Sequence, residues 1–305
     1  MKILVTGGAG FIGSHVVDLL VESGHRVAVV DDLSTGRFEN INPGVNFYRV
    51  SIEDTGIAEV VERERPRVVL HQAAQVDVQC SLRDPLADAK TNIMGVINLL
   101  EACRRFNVSK VVYASSAAVY GNPVSLPVDE THPIVPQSPY GASKYISEHY
   151  LRIYSELYGV RHTVLRYANV YGPRQDAAGE GGVVAIFVDR FLKGEEPKIF
   201  GDGEQTRDFI FVKDVAAANA AAIDKGDGMV LNVSTGARLS VNSLFEAIKK
   251  AAGSPLDPVY CPPRPGDIAH SCLSNKRAAE ALGWRPVYSL KEGIRETVEF
   301  YNNSL

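Results

Sequence analysis

The chain has 305 residues, 45% of them hydrophobic and 22% charged, so it can form one large α/β unit or two lobes without disulfides or metals. Its 36 acidic and 32 basic residues give a net charge of −4, which argues against nucleic acid as the main partner. The four cysteines lie far apart without a C-x-x-C pair, as expected in a reducing compartment. No apolar run reaches the ~18 residues of a membrane span, so we expect a cytoplasmic protein that does not bind membranes.

Short apolar runs alternate with longer amphipathic stretches in the first half of the chain. The predicted strands are Ile3–Val5, Arg26–Val30, Phe47–Val50, Val68–Leu70, Lys110–Ala114 and His162–Leu165. The predicted helices between them are Ile12–Ser23, Ile57–Arg65, Leu86–Phe106 and Tyr140–Tyr158. Strands that alternate with helices of this length pair in parallel through right-handed crossovers, which predicts a doubly wound α/β sheet.

The second half has shorter elements and more glycine and proline, after a proline-rich loop at Asn122–Pro139. Its predicted helices are Val184–Leu192, Val212–Ile223, Val241–Ala252, Asn275–Leu282 and Leu290–Tyr301. We expect residues 1–170 to form the first lobe, with a segment near 205–235 returning to it. Residues 171–305 would mainly form a smaller, interleaved α/β lobe.

A glycine-rich turn links the first predicted strand to the first helix. Gly7, Gly10 and Gly13 form a G-x-x-G-x-x-G pattern, which suits a tight turn, close approach to a pyrophosphate and close packing of helix on sheet. Asp31 ends the second strand, where a carboxylate accepts hydrogen bonds from an adenosine ribose and repels a 2′-phosphate. The turn therefore predicts a Rossmann-type dinucleotide site that favours NAD over NADP, although Arg37 nearby could serve a 2′-phosphate.

A serine, a tyrosine and a lysine make up the candidate catalytic set. Tyr140 and Lys144 are four residues apart on a predicted helix and so share a face. A nearby ammonium stabilises a phenolate, which lets a phenol act as a general base near neutrality. Ser116 follows the fifth strand, at the sheet edge where ligands bind in open α/β folds, and can hydrogen-bond the reacting oxygen. The scattered histidines lack ligand spacing, so we expect no metal site.

The segments TGGAGFIG, HQAAQ, SSAAVYG, YGASK, RYANVYGPRQ and RPGD occur in this order, and the chain resembles the extended short-chain dehydrogenase/reductase superfamily along nearly its whole length. It is most similar to NAD-dependent nucleotide-sugar 4-epimerases. The resemblance implies that Ser116, Tyr140 and Lys144 interconvert UDP-glucose and UDP-galactose by oxidation at C4, rotation of the 4-keto sugar and re-reduction. It also implies a homodimer built on the helices Leu86–Phe106 and Tyr140–Tyr158, and a role in galactose metabolism.

The resemblance also assigns binding residues. Cofactor contacts beyond the glycines and Asp31 would come from Phe11, Ile12, Leu33, Ser34, Thr35, Gly36, Ser51, Ile52, Ala73, Ala74, Asn92, Tyr140, Lys144 and Tyr167. Relatives often carry Asp where this chain has Ser51, so that contact is expected to be weaker or made by the backbone. The UDP-sugar would be held by Ser116, Asn169, Val184, Lys198, Phe200, Arg207, Val241, Arg264, Asp267 and Ser271.

Several related functions remain alternatives. The 4,6-dehydratases need an Asp-Glu pair directly after the position of Ser116, where this chain has Ala117 and Ala118. A decarboxylase of the same fold is a further alternative. A UDP-uronic acid 4-epimerase would need a cation for the sugar carboxylate, and we identify none. A non-catalytic dinucleotide sensor would be expected to have lost part of the catalytic set, which is complete here.

The residue seven positions after Arg264 is Ser271. In the family this position faces the sugar's C2 substituent, where a bulky tyrosine excludes an N-acetyl group. The small serine predicts that UDP-N-acetylglucosamine and UDP-N-acetylgalactosamine are also accepted. The alternative is that His270 or Cys272 fills the space instead.

Overall fold

A computed structural model of the protein describes residues 1–177, 182–263 and 268–303. In these ranges the strands are β1 (Lys2–Thr6), β2 (Arg26–Asp31), β3 (Asn46–Arg49), β4 (Val68–His71), β5 (Lys110–Ser116), β6 (Arg161–Tyr167), β7 (Asn169–Tyr171), β8 (Lys198–Phe200), β9 (Thr206–Arg207), β10 (Phe209–Phe211), β11 (Met229–Val233), β12 (Leu239–Ser240) and β13 (Val259–Cys261). The helices are α1 (Phe11–Glu22), α2 (Gly56–Glu64), α3 (Val78–Arg83), α4 (Pro85–Ala89), α5 (Gly95–Arg105), α6 (Pro139–Tyr158), α7 (Val183–Leu192), α8 (Val212–Ala222), α9 (Val241–Ala252), α10 (Lys276–Leu282) and α11 (Leu290–Asn302).

The main sheet is parallel throughout its described length. Seven strands follow the order β11-β6-β5-β4-β1-β2-β3 in the part of the chain that the structure describes. Val5 in β1 lies opposite Val29 in β2 on one side and Leu70 in β4 on the other, and all three are fully buried. Burial on both faces explains why these strands read as unbroken apolar runs.

Helices cover both faces of this sheet. On one face α1 and α8 pack together, and their apolar residues share a core with β1, β2 and β6. On the other face α2, α5 and α6 bury theirs against the same strands. The prediction of a Rossmann-type, doubly wound α/β sheet is therefore confirmed.

The long helix predicted at Leu86–Phe106 needs a correction. It begins one residue earlier at Pro85 and consists of α4, a π-helical turn at Lys90–Met94, and α5. Within that turn the Asn92 carbonyl accepts a hydrogen bond from the Ser147 hydroxyl at 2.6 Å, so α6 supplies a partner for the altered backbone. The short helix α3, capped by the Asp77 side chain, was not predicted.

The smaller lobe has a core of its own. The α7, α9 and α11 helices bury Phe187, Phe245 and Ile294 together. Its strands form two-stranded pairs: β7 with β10, β9 with β12, and β8 with β13. Before α9 and α11 the chain returns to the main sheet, because β11 pairs with β6 from Met229↔Thr163 to Val233↔Tyr167. Among the described residues no helix combines the length and the apolar character that crossing a bilayer requires.

Candidate active site

The glycine turn between β1 and α1 leaves no room for a side chain at Gly7 or Gly13. Gly7 has φ +69°, and a Cβ there would lie 2.5 Å from the Ala73 backbone nitrogen. A Cβ at Gly13 would collide with the Gly7 carbonyl. The turn is therefore packed directly against the end of β4 and the start of α1, as a helix N-terminus that receives a pyrophosphate requires. The predicted residues Phe11 and Ile12 form the first turn of α1.

The Asp31 carboxylate lies at the end of β2, beside the turn. Its Oδ2 accepts a hydrogen bond from Ala9 N–H at 2.9 Å, and its Oδ1 accepts one from Leu33 N–H at 2.9 Å. Burial raises the pKa of Asp31, and these two backbone donors oppose that rise. An added Cβ at Gly36 would lie only 2.6 Å from Oδ1, so the loop after β2 folds back onto the carboxylate.

A cleft of about 240 Å³ opens next to this loop. Four of the predicted cofactor residues line it: Phe11, Ser34, Thr35 and Gly36. The residues present fit a dinucleotide. The glycines allow a pyrophosphate to approach the backbone closely, and the Asp31 carboxylate lies where a ribose would be bound.

The ends of β3 and β4 place the next predicted contacts at the same carboxyl edge of the sheet. The Ser51 hydroxyl accepts a hydrogen bond from Glu53 N–H at 3.3 Å, and the Ile52 side chain is buried beside Gly95. After β4, Ala73 N–H donates to the Thr6 hydroxyl at 3.4 Å, and Ala74 follows it. The Ile52 side chain is thus part of the core, which leaves its backbone for any cofactor contact.

Ser116, Tyr140 and Lys144 lie on β5 and α6, two elements that pack against each other. Ser116 is the last residue of β5, and its Oγ accepts a hydrogen bond from Ala118 N–H at 3.1 Å. Ser138 caps α6 and Pro139 occupies its first position, so Tyr140 lies in the first helical turn and Lys144 one turn later. The Lys144 ammonium is 5.9 Å from the centre of the Tyr140 ring.

Lys144 is unusual for a lysine because its side chain is almost entirely buried. Its Nζ donates to the Ala114 carbonyl at 2.9 Å and lies 5.1 Å from the centre of the Tyr113 ring. Burial lowers the pKa of Lys144 to about 8, while the carboxylates of Asp88 and Glu148 act to raise it. The pKa of the Lys144 ammonium is therefore close to neutral pH.

His71, at the end of β4, lies behind this lysine. Its Nδ1 is 2.6 Å from the Thr6 hydroxyl, and its ring packs against Tyr113. Burial, and to a lesser extent the Lys144 charge, lower the pKa of His71 to about 3. The imidazole is neutral at physiological pH, and no cluster of three or more metal-ligating side chains was found among the described residues.

Two predicted cofactor residues have side chains that are already hydrogen-bonded inside the protein. The Asn92 amide donates to Asp88 Oδ1 at 3.0 Å and accepts from Gln75 N–H at 3.0 Å. The Tyr167 hydroxyl donates to Asn219 Oδ1 at 3.0 Å, and burial raises the pKa of Tyr167 to about 12. Tyr167 lies directly opposite Ser116 across β5 and β6, so both reach the carboxyl edge.

Two residues of the predicted sugar site come together in the smaller lobe. Ser271 N–H donates to the Thr206 carbonyl at 3.0 Å, which places Ser271 next to Arg207 on β9. Thr206 also contacts the His270 ring, with 3.0 Å between its Oγ1 and Nδ1. Cys272 is buried near Asp208, so the side chains on either side of Ser271 are occupied elsewhere.

The remaining predicted sugar residues are spread over several elements. Asn169 begins β7 and is exposed, and Lys198 and Phe200 are the ends of β8. The side chains of Val184 and Val241 are buried in the core of the smaller lobe. Arg264 and Asp267 lie outside the described residues.

Sequence reasoning missed a buried ion pair behind Ser116. Glu148 on α6 accepts from the Arg166 guanidinium at 2.6 and 2.9 Å, and from the Ser115 hydroxyl at 2.5 Å. Both side chains of the pair are at most 6% exposed. Glu148 is four residues after Lys144, the one available signal, because such spacing places the two on one helix face.

Sequence reasoning also missed Asp208, whose carboxylate links two segments of the chain. Its Oδ1 accepts from the Thr235 N–H and hydroxyl, and its Oδ2 accepts from Gly236 N–H and Leu273 N–H. The carboxylate thereby fixes the segment that leads to Ser271 against the end of β11.

By fold the chain is a Rossmann-type α/β protein with a cleft at the carboxyl edge of its parallel sheet. The family model described as the NAD dependent epimerase/dehydratase family matches residues 3–234. The chain belongs to this family.

Three solved structures are similar along the whole chain. The structure of a UDP-glucose 4-epimerase with UDP-glucose from Thermotoga maritima is 50% identical in sequence and has a TM-score of 0.97. The match covers 100% of this chain and 99% of that one. A UDP-glucose 4-epimerase in complex with NAD from Thermus thermophilus is 45% identical, with a TM-score of 0.95 and both chains covered to 100%. A UDP-N-acetylglucosamine 4-epimerase in complex with UDP-N-acetylmuramic acid from Methanobrevibacter ruminantium is 37% identical, with a TM-score of 0.95 and coverage of 100% of this chain and 99% of that one.

Proposed function

We propose that the protein is an NAD-dependent isomerase that interconverts UDP-glucose and UDP-galactose at C4. The observation that carries the proposal is that Ser116 ends β5, while the Lys144 ammonium lies near both the Tyr140 ring and the Ala114 carbonyl of that strand. Similarity over the whole chain to UDP-glucose 4-epimerases supports the same reaction. A role in galactose metabolism follows from that activity.

Tyr140 would accept the proton of the sugar's 4-hydroxyl and later return it. The buried Lys144 ammonium favours a negatively charged neighbour, and the Ser116 hydroxyl would hydrogen-bond the reacting oxygen. NAD, when bound, supplies reversible hydride transfer at C4. The chain itself orients the sugar, moves the proton and excludes water.

The cofactor would be held by the glycine turn, Asp31 and the cleft lined by Ser34, Thr35 and Gly36. The other proposed contacts are Phe11, Ile12, Leu33, Ser51, Ile52, Ala73, Ala74, Asn92, Tyr140, Lys144 and Tyr167. For Ile52 the buried position of the side chain favours contact through the backbone.

The nucleotide sugar would bind across the smaller lobe. The proposed contacts are Ser116, Asn169, Val184, Lys198, Phe200, Arg207, Val241, Arg264, Asp267 and Ser271. A guanidinium suits the diphosphate because it can bind two phosphate oxygens at once. Ala117 and Ala118 carry no proton donor or acceptor, so a dehydratase reaction is not favoured at this site.

We also propose that N-acetylated UDP-hexoses are accepted. Ser271 is small. The neighbouring His270 side chain contacts Thr206 and the Cys272 side chain contacts Asp208, so neither is expected to fill the space beside Ser271. The similarity to a UDP-N-acetylglucosamine 4-epimerase supports this wider substrate range.

Purified protein provides the test. It should convert UDP-galactose to UDP-glucose without added cofactor, as followed by NMR, and should release NAD or NADH on denaturation. Absence of turnover with every UDP-hexose tested, despite bound cofactor, would contradict the proposal and favour the non-catalytic dinucleotide sensor.

The protein is further proposed to be a homodimer. Exposed apolar side chains lie on the helical segments predicted to form the contact: Leu86 is 81% exposed, Met94 64% and Leu157 66%. Light scattering should give a dimer mass for the wild type and a monomer mass for Leu157→Glu. Val287→Glu, at an exposed site on another part of the chain, is the control and should remain dimeric.

We propose two lobes and a cytoplasmic location as well. Residues 1–170, with the returning segment of about 205–235, would bind the cofactor, and residues 171–305 would mainly bind the nucleotide sugar. The return of β11 to the main sheet supports the interleaving. All four cysteines are free thiols, which suits a reducing compartment.

A further inference from the structure

The backbone of Arg37 lies beside Asp31, the carboxylate proposed to bind the cofactor ribose. Its N–H donates to the Ala9 carbonyl at 3.0 Å, while Ala9 N–H donates to Asp31 Oδ2 at 2.9 Å. Gly36, the residue before it, is packed against the same carboxylate. Arg37 and Asp31 are therefore both hydrogen-bonded to the backbone of Ala9.

This position gives Arg37 a chemistry opposite to that of Asp31. A guanidinium binds phosphate oxygens in pairs, and an arginine near the ribose is the feature that accommodates the 2′-phosphate of NADP. The Arg37 side chain lines the cleft and is 62% exposed, so it is accessible to such a phosphate. The cleft would thus carry one group suited to each cofactor, the Asp31 carboxylate for NAD and the Arg37 guanidinium for NADP.

Asp176 meets Arg37 from the other side of the cleft. The Arg37 Nη2 and the Asp176 Oδ2 are 3.3 Å apart, and both residues line the cleft. Asp176 belongs to the segment that follows β7, whereas Arg37 belongs to the loop after β2. The pair thus spans the two parts of the chain that border the cleft.

Contacts with α1 hold the Asp176 segment in place. His15 Nε2 donates to the Pro173 carbonyl at 2.9 Å, and burial lowers the pKa of His15 to about 4, so this donor is neutral near pH 7. Arg174 is the second arginine that lines the cleft, and its guanidinium forms an ion pair with Asp18 at 2.7 Å. These contacts hold the chain at Pro173 and Arg174, two to three residues before Asp176.

We propose that Asp176 is a cofactor-specificity residue that masks Arg37. By pairing with the guanidinium, its carboxylate withdraws the one cleft-lining cation that lies next to Asp31 among the described residues. A 2′-phosphate must then displace Asp176 to reach Arg37, whereas the 2′-hydroxyl of NAD needs no cation. This inference rests on the proposed NAD-dependent function.

The test identifies the cofactor that each purified variant carries. Wild type, Asp176→Asn, Asp176→Glu and the double variant Arg37→Gln/Asp176→Asn are produced in one host and denatured, and the released NAD and NADP are quantified per chain. For Asp176→Asn we expect the NADP:NAD ratio to rise about threefold to fivefold, the scale of an exposed ion pair. Asp176→Glu and the double variant should stay near the wild-type ratio.

The outcomes separate this inference from the proposed function. A wild-type ratio in Asp176→Asn would overturn the masking role, and so would a rise that persists in the double variant, because no guanidinium would then be involved. Release of stoichiometric NADP by the wild type would overturn the NAD assignment itself. Total cofactor per chain serves as the folding control, and competition of added NADP against bound NAD gives the same ratio independently of the host's nucleotide pools.

Discussion

The proposed catalytic edge of the main sheet, around Lys144, and the proposed sugar-facing edge of the smaller lobe, around Ser271, are built differently. Lys144 lies on a 20-residue helix, is buried, and is backed by His71 and Tyr113 from neighbouring strands. Arg207 and Ser271 lie on a two-residue strand and on the segment hydrogen-bonded to it. Under the proposed function, steps shared by all substrates depend on long, packed elements. Contacts that distinguish sugars depend on short elements that can change without disturbing the core.

Loss of the Tyr140 hydroxyl should give the largest effect and should be the same for every sugar. Tyr140→Phe keeps the ring but removes the proton acceptor, so turnover should fall at least ~10²-fold for UDP-galactose and its N-acetyl derivative alike. The cofactor should stay bound. Tyr145→Phe, on the same helix, is the matched control, and near-wild-type turnover by Tyr140→Phe would remove Tyr140 from the mechanism.

A change at the other edge should separate the sugars. Ser271→Tyr places a ring where the acetamide is expected, so turnover of UDP-N-acetylgalactosamine should fall by about 10-fold to 10²-fold while that of UDP-galactose changes little. Paired kcat/KM measurements on the two sugars give the result. Wild-type protein that turns over UDP-galactose but not UDP-N-acetylgalactosamine would show that Ser271 does not open the pocket.

The pH dependence of turnover should follow the titration of Lys144. Because burial lowers the pKa of Lys144 to about 8, its ammonium is lost as the pH rises through that value. We expect kcat/KM to fall by about tenfold per pH unit above it, with the same midpoint for both sugars. Midpoints that differ between the two sugars would place the titrating group at the sugar-facing edge instead.

The smallest expected effect is on stability in mild acid. The His71 pKa is lowered from 6.5 to about 3, so between these values the unfolded chain binds a proton that the folded chain does not. Stability should therefore fall as the pH drops. Between pH 7 and 5 the wild type should lose about 2 kcal/mol more than His71→Asn, as measured by urea unfolding.

His270→Asn, which removes an exposed histidine from the sugar-facing edge, is the matched control for that measurement. Equal losses in the wild type and His71→Asn would mean that His71 does not carry the acid sensitivity.

Much of the main sheet could be predicted from the sequence, because a strand buried on both faces must be an uninterrupted apolar run. The missed strand β11 shows the limit of this rule. Its run contains Asn232, which is buried because its amide accepts from the Tyr120 hydroxyl at 2.7 Å and donates to the Val128 carbonyl at 3.1 Å. A polar residue inside a strand is satisfied here by partners more than a hundred positions away, which no local pattern reveals.

The candidate site divides in the same way. The i, i+4 spacing places Tyr140 and Lys144 on one helix face, and the structure has them there. The surroundings of Lys144 come from separate elements: Tyr113 from β5, His71 from β4 and Asp88 from α4. Which strands become neighbours decides these contacts, so the lowered pKa of Lys144 could not be read from spacing.

The return of β11 to the main sheet also affects how the protein is made. About sixty residues separate the end of β6 from the start of β11, and at roughly 5–20 residues per second a ribosome needs several seconds to supply them. During that time β6 is an outer strand with unpaired backbone groups, the kind of edge that joins strands of other molecules. A chain that stops before β11 is made would therefore expose this edge, which the complete chain covers.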